Sequence, residues 1–233
     1  MISQSLRKLL YLCLTVAVLS IMGPTSGHAE HPFSKYLHRV HTTPLIEASE
    51  DGNLEAVKFF IAEGDDVNER DLDEHWTPLH KAAVFGYSEI VKYLISKGAE
   101  INSIHLGWTP LLYAAKQGHL DTVRTLLDLG AVVDLKTKSG FTPIHYAVLN
   151  GHSDIVLLLI ERKGDVNATE FRGLTPLHMA VTKNNLRLAE LLIQNKANLS
   201  AEDKNGKTPL DFAQQAKNAG LIELLNKHSA TKK

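Results

Sequence analysis

The tripeptide Thr-Pro-Leu, once as Thr-Pro-Ile, occurs six times, starting at Thr43, Thr77, Thr109, Thr142, Thr175 and Thr208. The spacings are 34, 32, 33, 33 and 33 residues. A period this regular marks a solenoid of stacked supersecondary units, each too small to bury its own apolar face. It constrains architecture and function together, because such arrays offer an extended binding surface and imply no chemistry of their own.

The second period predicts the local structure of all of them. Thr77 suits a helix N-cap, where its hydroxyl accepts an orphan amide of the first turn. Pro78 falls at N1, where a missing N–H costs nothing. Leu79, Ala82 and Ala83 make one apolar face at i, i+3, i+4, and the alanines allow a neighbouring helix to approach closely. Gly86 ends this helix in a left-handed conformation. Ile90, Val91, Leu94 and Ile95 form the stripe of a second helix that stops at Gly98, and an extended loop leads to the next Thr-Pro.

This pattern resembles the ankyrin repeat. The fourth period carries Gly140, Thr142, Pro143, Ile144, His145, Ala147, Gly151, His152, Val156, Leu158, Leu159 and Asp165-Val166-Asn167. The third carries Gly107, Thr109-Pro110-Leu111, Ala114-Ala115, Gly118-His119, Val123, Leu126-Leu127 and Gly130-Ala131. The resemblance covers about residues 41–228. It implies an all-α solenoid of six helix-turn-helix repeats joined by β-hairpin loops, at about 41–73, 74–105, 106–137, 138–169, 170–202 and 203–228. Leu126 and Leu127 are expected in the core behind the alanine pair.

The departures carry information. The first repeat has Ile46 in the histidine place and Glu47, Glu50 and Asp51 along its first helix; the sixth has Asp211, Gln214, Gln215 and Lys217. Polar terminal repeats cover the ends of a solenoid, so both read as caps. Asn184-Asn185 replaces Gly-His in the fifth, and Asn tolerates the left-handed conformation. The loop before Thr77 is one residue long and the loop before Thr109 one short, both at hairpin tips.

Residues 1–29 stand outside the repeats. Arg7-Lys8, an apolar run from Leu9 to Met22 and small residues at Gly27 and Ala29 have the order of a secretory signal peptide cleaved after Ala29. Residues 30–40 form a lead-in that adds a turn of helix, and 229–233 a basic tail. The one cysteine, Cys13, lies in the apolar run, so a cleaved chain has no thiol and no disulfide. That suits export, to the periplasm first and the extracellular medium second. An uncleaved membrane anchor is the alternative, though the run is short of the ~20 residues that span a bilayer.

Beyond residue 29 the chain holds 23 basic against 26 acidic residues, which argues against nucleic acid as a partner. Of the 12 histidines, His80, His145, His178, His119 and His152 occupy repeat places where the resemblance implies structural hydrogen bonds. His28 leaves with the signal peptide. His31, His38, His41, His75, His105 and His228 show no metal-ligand spacing. Asp65-Asp66, Asn68, Asp165 and Asn167 fit the repeat loop and not a calcium loop. No phosphate loop, nucleophile elbow or zinc motif occurs. The expectation is a monomeric, non-catalytic protein without metal or cofactor.

The resemblance places partners on the concave face of hairpin tips and first helices. Two columns fall there: Thr42, Trp76, Trp108, Phe141, Leu174, Lys207 before each Thr, and Glu47, Lys81, Tyr113, Tyr146, Met179, Phe212 along the helices. Phe85 and Leu149 lie further along. Trp76, Lys81, Phe85, Trp108, Tyr113, Phe141, Tyr146, Leu149 and Met179 are the candidate partner-binding residues, with the tyrosines and Met179 expected to stand exposed opposite the alanines. The tryptophans serve packing or binding equally well. The partner is another protein, identity unknown, with no membrane contact after cleavage. The function classes left open are a periplasmic binding scaffold, an exported effector acting on a host protein, and a tethered scaffold with an uncleaved anchor.

Overall fold

The structure is a computed structural model that describes residues 33–37, 42–72 and 75–230. The expected signal peptide, most of the lead-in, His31, His38, His41 and the last three residues of the tail lie outside them. The chain divides into Met1–Lys35 and Tyr36–Lys233, and the second unit holds the repeats. A 3-10 turn, Ser34–Leu37, stands where the lead-in was expected to add a turn. Tyr36 packs edge-on against Phe60 at 5.9 Å.

Twelve α-helices follow among the described residues. Each repeat contributes two: α1 Pro44–Glu50 and α2 Leu54–Ala62; α3 Pro78–Phe85 and α4 Ser88–Ser96; α5 Pro110–Gln117 and α6 Leu120–Asp128; α7 Pro143–Leu149 and α8 Ser153–Glu161; α9 Pro176–Thr182 and α10 Leu186–Gln194; α11 Pro209–Gln215 and α12 Ala219–Ala230. The starts follow the sequence logic. Every first helix opens with Pro after an extended Thr. Thr43, Thr77, Thr109, Thr175 and Thr208 accept the third-residue amide at 3.3–3.4 Å.

First helices stack on first helices and second on second, giving two layers. Ala82, Ala83, Ala114 and Ala115 are sealed between neighbours in the first layer, and Ile90, Leu94, Leu126, Ile155 and Leu159 fill the space between layers. Leu127 is half-buried rather than in the core. A helix stripe of this width turns every fourth residue inward, and Leu126 takes that place. The cap reading needs a similar correction: Glu47 is 5% exposed, inside α1 rather than on its surface.

Two side-chain ladders fix the repeat spacing. In the first, the ring in the Gly-His place covers the glycine of the preceding repeat. A Cβ at Gly86 would stand 2.6 Å from the His119 ring, and one at Gly118 2.6 Å from that of His152. The same rings reach back, His119 Nε2 to Val84 O at 2.8 Å and His152 Nε2 to Lys116 O at 3.1 Å. Asn184 takes the left-handed conformation at φ 57, as expected, and is bonded by Asn218 Nδ2. In the second ladder, Asn68 Oδ1 accepts Glu100 N, Asn102 accepts Val132 N, Asp134 accepts Asp165 N and Asn167 accepts Asn198 N. The acidic and amide residues of these loops thus hold the stack together.

Candidate protein-binding face

The hairpins before each Thr set the geometry of the candidate face. Thr137 N donates to Phe141 O at 2.8 Å and Asp203 N to Lys207 O at 2.9 Å, each closing a three-residue connection. The shortened loop is tighter: His105 and Trp108 exchange both backbone bonds, at 2.9 and 2.8 Å, across Leu106-Gly107. Both central residues have positive φ, 50° and 88°, the signature of a type I′ turn. Leu106 adopts this conformation without glycine's freedom and stands 70% exposed at the tip. Arg70 Nη1 donates to Ile104 O at 3.1 Å, so adjacent tips are bound together.

The turn delivers His105 into the face. Its ring stacks on Trp76 at 3.8 Å and 26°, and the Tyr113 hydroxyl meets its Nδ1 at 2.7 Å. From there a ladder of rings crosses three repeats. Trp76 lies 5.0 Å from Tyr113, Tyr113 5.1 Å from Trp108, Trp108 4.4 Å from Tyr146, and Tyr146 5.3 Å from Phe141. Ring pairs at these separations contribute about 0.5–1.5 kcal/mol each beyond area burial. Two cations lie over the indoles: Lys81 Nζ 4.8 Å above Trp76, where it also pairs with Glu50 at 3.1 Å, and Lys116 Nζ 5.1 Å above Trp108.

Six of the nine candidate residues are therefore one assembly: Trp76, Lys81, Trp108, Tyr113, Phe141 and Tyr146. All are half-buried. The tyrosines are not as exposed as expected, because Tyr113 packs between Trp76 and Trp108 and Tyr146 between Trp108 and Phe141. Burial raises the Tyr146 pKa. The tryptophans pack and present a surface at once, which dissolves the choice between the two roles. Met179 stands apart: it is 3% exposed, enclosed in α9, and the expectation that it faces solvent is corrected. An unbranched thioether in that column fills a gap where a rigid ring would protrude. Phe85 is 44% exposed and stacks on Tyr87 at 6.3 Å, toward the α3–α4 turn. Leu149 is half-buried.

Beneath the ladder the repeat histidines are locked. His145 Nδ1 accepts Thr142 N at 3.1 Å, and His178 Nδ1 accepts Thr175 N at 3.2 Å. His80 Nδ1 lies 2.8 Å from Thr77 Oγ1, and its Nε2 3.1 Å from Ser103 O in the next repeat. His178 Nε2 likewise reaches Lys207 O at 3.1 Å. An Nδ1 held as acceptor puts the ring proton on Nε2. Burial pushes the His80 pKa down to about 3, helped by the neighbouring His105, and the His145 pKa to about 4; His178 is lowered by burial too. Their roles are structural, as the resemblance implied. Among the described residues no group of three His, Cys, Asp or Glu side chains could hold a metal ion, and no helix is long and apolar enough to cross a membrane.

His105, Leu106 and Lys116 are the members of the face that sequence reasoning missed. The signal for the first two was the spacing of 32 between Thr77 and Thr109, which forces a two-residue turn. Lys116 sits three residues after Tyr113 on the same helix face.

Comparison with known families agrees with this geometry. A profile described as ankyrin repeats (3 copies) matches residues 26–105 and 102–170, and one described as ankyrin repeats (many copies) matches 165–213. Among curated proteins no relative matches the chain.

Proposed function

The chain belongs to the ankyrin-repeat family, whose members are generally protein–protein interaction scaffolds, and from that premise we propose that it is a non-catalytic scaffold whose partner docks on the ring ladder of repeats two to four. The observation that carries this reading is the continuous run Trp76, Tyr113, Trp108, Tyr146 and Phe141. Rings alone could be packing. What favours recognition is that each stays only half-buried on the face the family uses, with Leu106 held in a costly conformation at the tip of the hairpin that carries Trp108.

The same proposal includes export. The order of basic, apolar and small residues in 1–29 supports removal of that segment and action in the periplasm. Mass spectrometry of the exported protein reads it directly: Glu30 as first residue supports the proposal, and a chain that retains Met1 favours the tethered scaffold.

A photo-crosslinking amino acid at Tyr146, against one at Lys92 on α4, tests the binding face. The proposal expects one discrete protein adduct from Tyr146 and none from Lys92. Equal labelling from both positions, or adducts from Lys92 alone, rejects it.

A further inference from the structure

The charge around the ladder names the chemistry of its occupant. The chain as a whole is near neutral, with a formal net charge of -1. The hairpin and first-helix segments around Thr109, Thr142 and Thr175 (101–118, 134–151, 167–184) depart from that balance. They hold Lys116, Lys136, Lys138, Arg172 and Lys183 against Asp134 and Glu170 only. Both carboxylates accept backbone amides, Asp134 from Asp165 N and Glu170 from Arg172 N and Leu174 N, and Glu170 also pairs with the Arg172 side chain at 3.5 Å. Among the described residues Lys116, Lys136 and Lys138 form no ion pair. Two of these lysines flank the hairpin that carries Trp108. Lys116 lies over its indole. The Lys138 stem lies against Gly107, where an added Cβ would stand 3.1 Å from its Cγ. At the tip of the same hairpin, Ile104 and Leu106 expose most of their side chains.

Unpaired ammonium groups beside an aromatic slot with an aliphatic rim complement one kind of segment. We propose that the partner docks an acidic peptide, with an apolar or aromatic side chain seated at Trp108 and carboxylates reaching Lys116 and Lys138. The ladder orients the anchor; the lysines select its flanks by charge and reject basic segments. This rests on the ladder being the partner face.

A random dodecapeptide display library panned on the immobilised full chain tests the proposal. Selected peptides should carry an aromatic or aliphatic residue flanked by Asp or Glu. Synthetic copies should bind about tenfold more weakly to the Lys116→Glu/Lys138→Glu variant, and to the parent at high salt. Both lysines are exposed, so this variant should melt with the parent. Trp108→Leu separates the two levels of the argument. Loss of binding in Trp108→Leu with no effect of the charge variant overturns the acidic chemistry and leaves the face standing. Acidic peptides that bind Trp108→Leu as they bind the parent overturn the face itself. A selection without acidic bias, or one that enriches nothing while phosphatidylglycerol vesicles bind the chain, also overturns the proposal.

Discussion

Acid should unfold this protein in a window set by histidines rather than carboxylates. His80 and His145 ordinarily titrate at 6.5, but the fold holds them near 3 and near 4. A group whose folded pKa is depressed in this way takes up a proton on unfolding. For a histidine that means stability is fully present above 6.5 and lost as pH falls toward the folded values. Each pH unit below 6.5 costs about 1.4 kcal/mol per residue, so at pH 5 the two together remove about 4 kcal/mol. His178 adds to the loss in the same direction. Domains of this kind have roughly 5–15 kcal/mol in all, so the effect is large. The carboxylates whose values are lowered, Asp203 and Asp211, act only further into acid, below 3.8. The assay is urea unfolding followed by circular dichroism from pH 7.5 to 4.5, with imidazole NMR shifts in the native state. His145→Gln should flatten the slope by about one proton. A free energy of unfolding that is level between pH 6.5 and 5, or imidazoles of His80 and His145 that titrate near 6.5 in the native state, would overturn this prediction.

Three further outcomes are expected. Leu126→Ala removes a fully buried side chain between the helix layers and should cost roughly 2–5 kcal/mol by transfer and cavity terms, read by denaturant melting. Gly118→Ala meets the His152 ring and a positive φ together, so it should cost about 2 kcal/mol or more, whereas Gly151→Ala meets nothing within 4 Å and should cost about half as much. Asp134 occupies the loop place that Asn68, Asn102 and Asn167 fill elsewhere, and burial beside Asp165 raises its pKa; the folded state therefore disfavours its charged form, and Asp134→Asn should raise the melting temperature at pH 7 and lose that advantage below pH 4.

The period made the fold legible because each repeat restates the same local instructions. Thr caps, Pro starts, paired alanines and a closing left-handed residue are all short-range, and short-range signals survive in sequence. Even Asn184 was readable, since its replacement for glycine follows from backbone sterics. The face was legible only as columns. Spacing places Tyr113, Tyr146 and Met179 in one register but cannot say that Met179 folds inward while the rings stand half out. That depends on the volume of neighbours in adjacent repeats. His105 escaped because its role comes from a deletion, and Glu47 because a buried carboxylate reads as polar surface until its surroundings are seen.

As proposed, the ring ladder is a surface for a partner and more than an internal brace. Tyr113→Leu/Tyr146→Leu removes the rings but keeps apolar bulk; the Tyr113 bond to His105 and the Tyr146 contact with Thr137 go with the four ring pairs of the ladder. Thermal melting and partner capture are to be measured side by side on this one variant. Loss of four ring pairs should lower stability by roughly 2–6 kcal/mol, leaving the variant folded at assay temperature, while capture weakens by about tenfold or more, the scale of an aromatic hot spot. Capture that persists at the parent level in a folded double variant would contradict the claim.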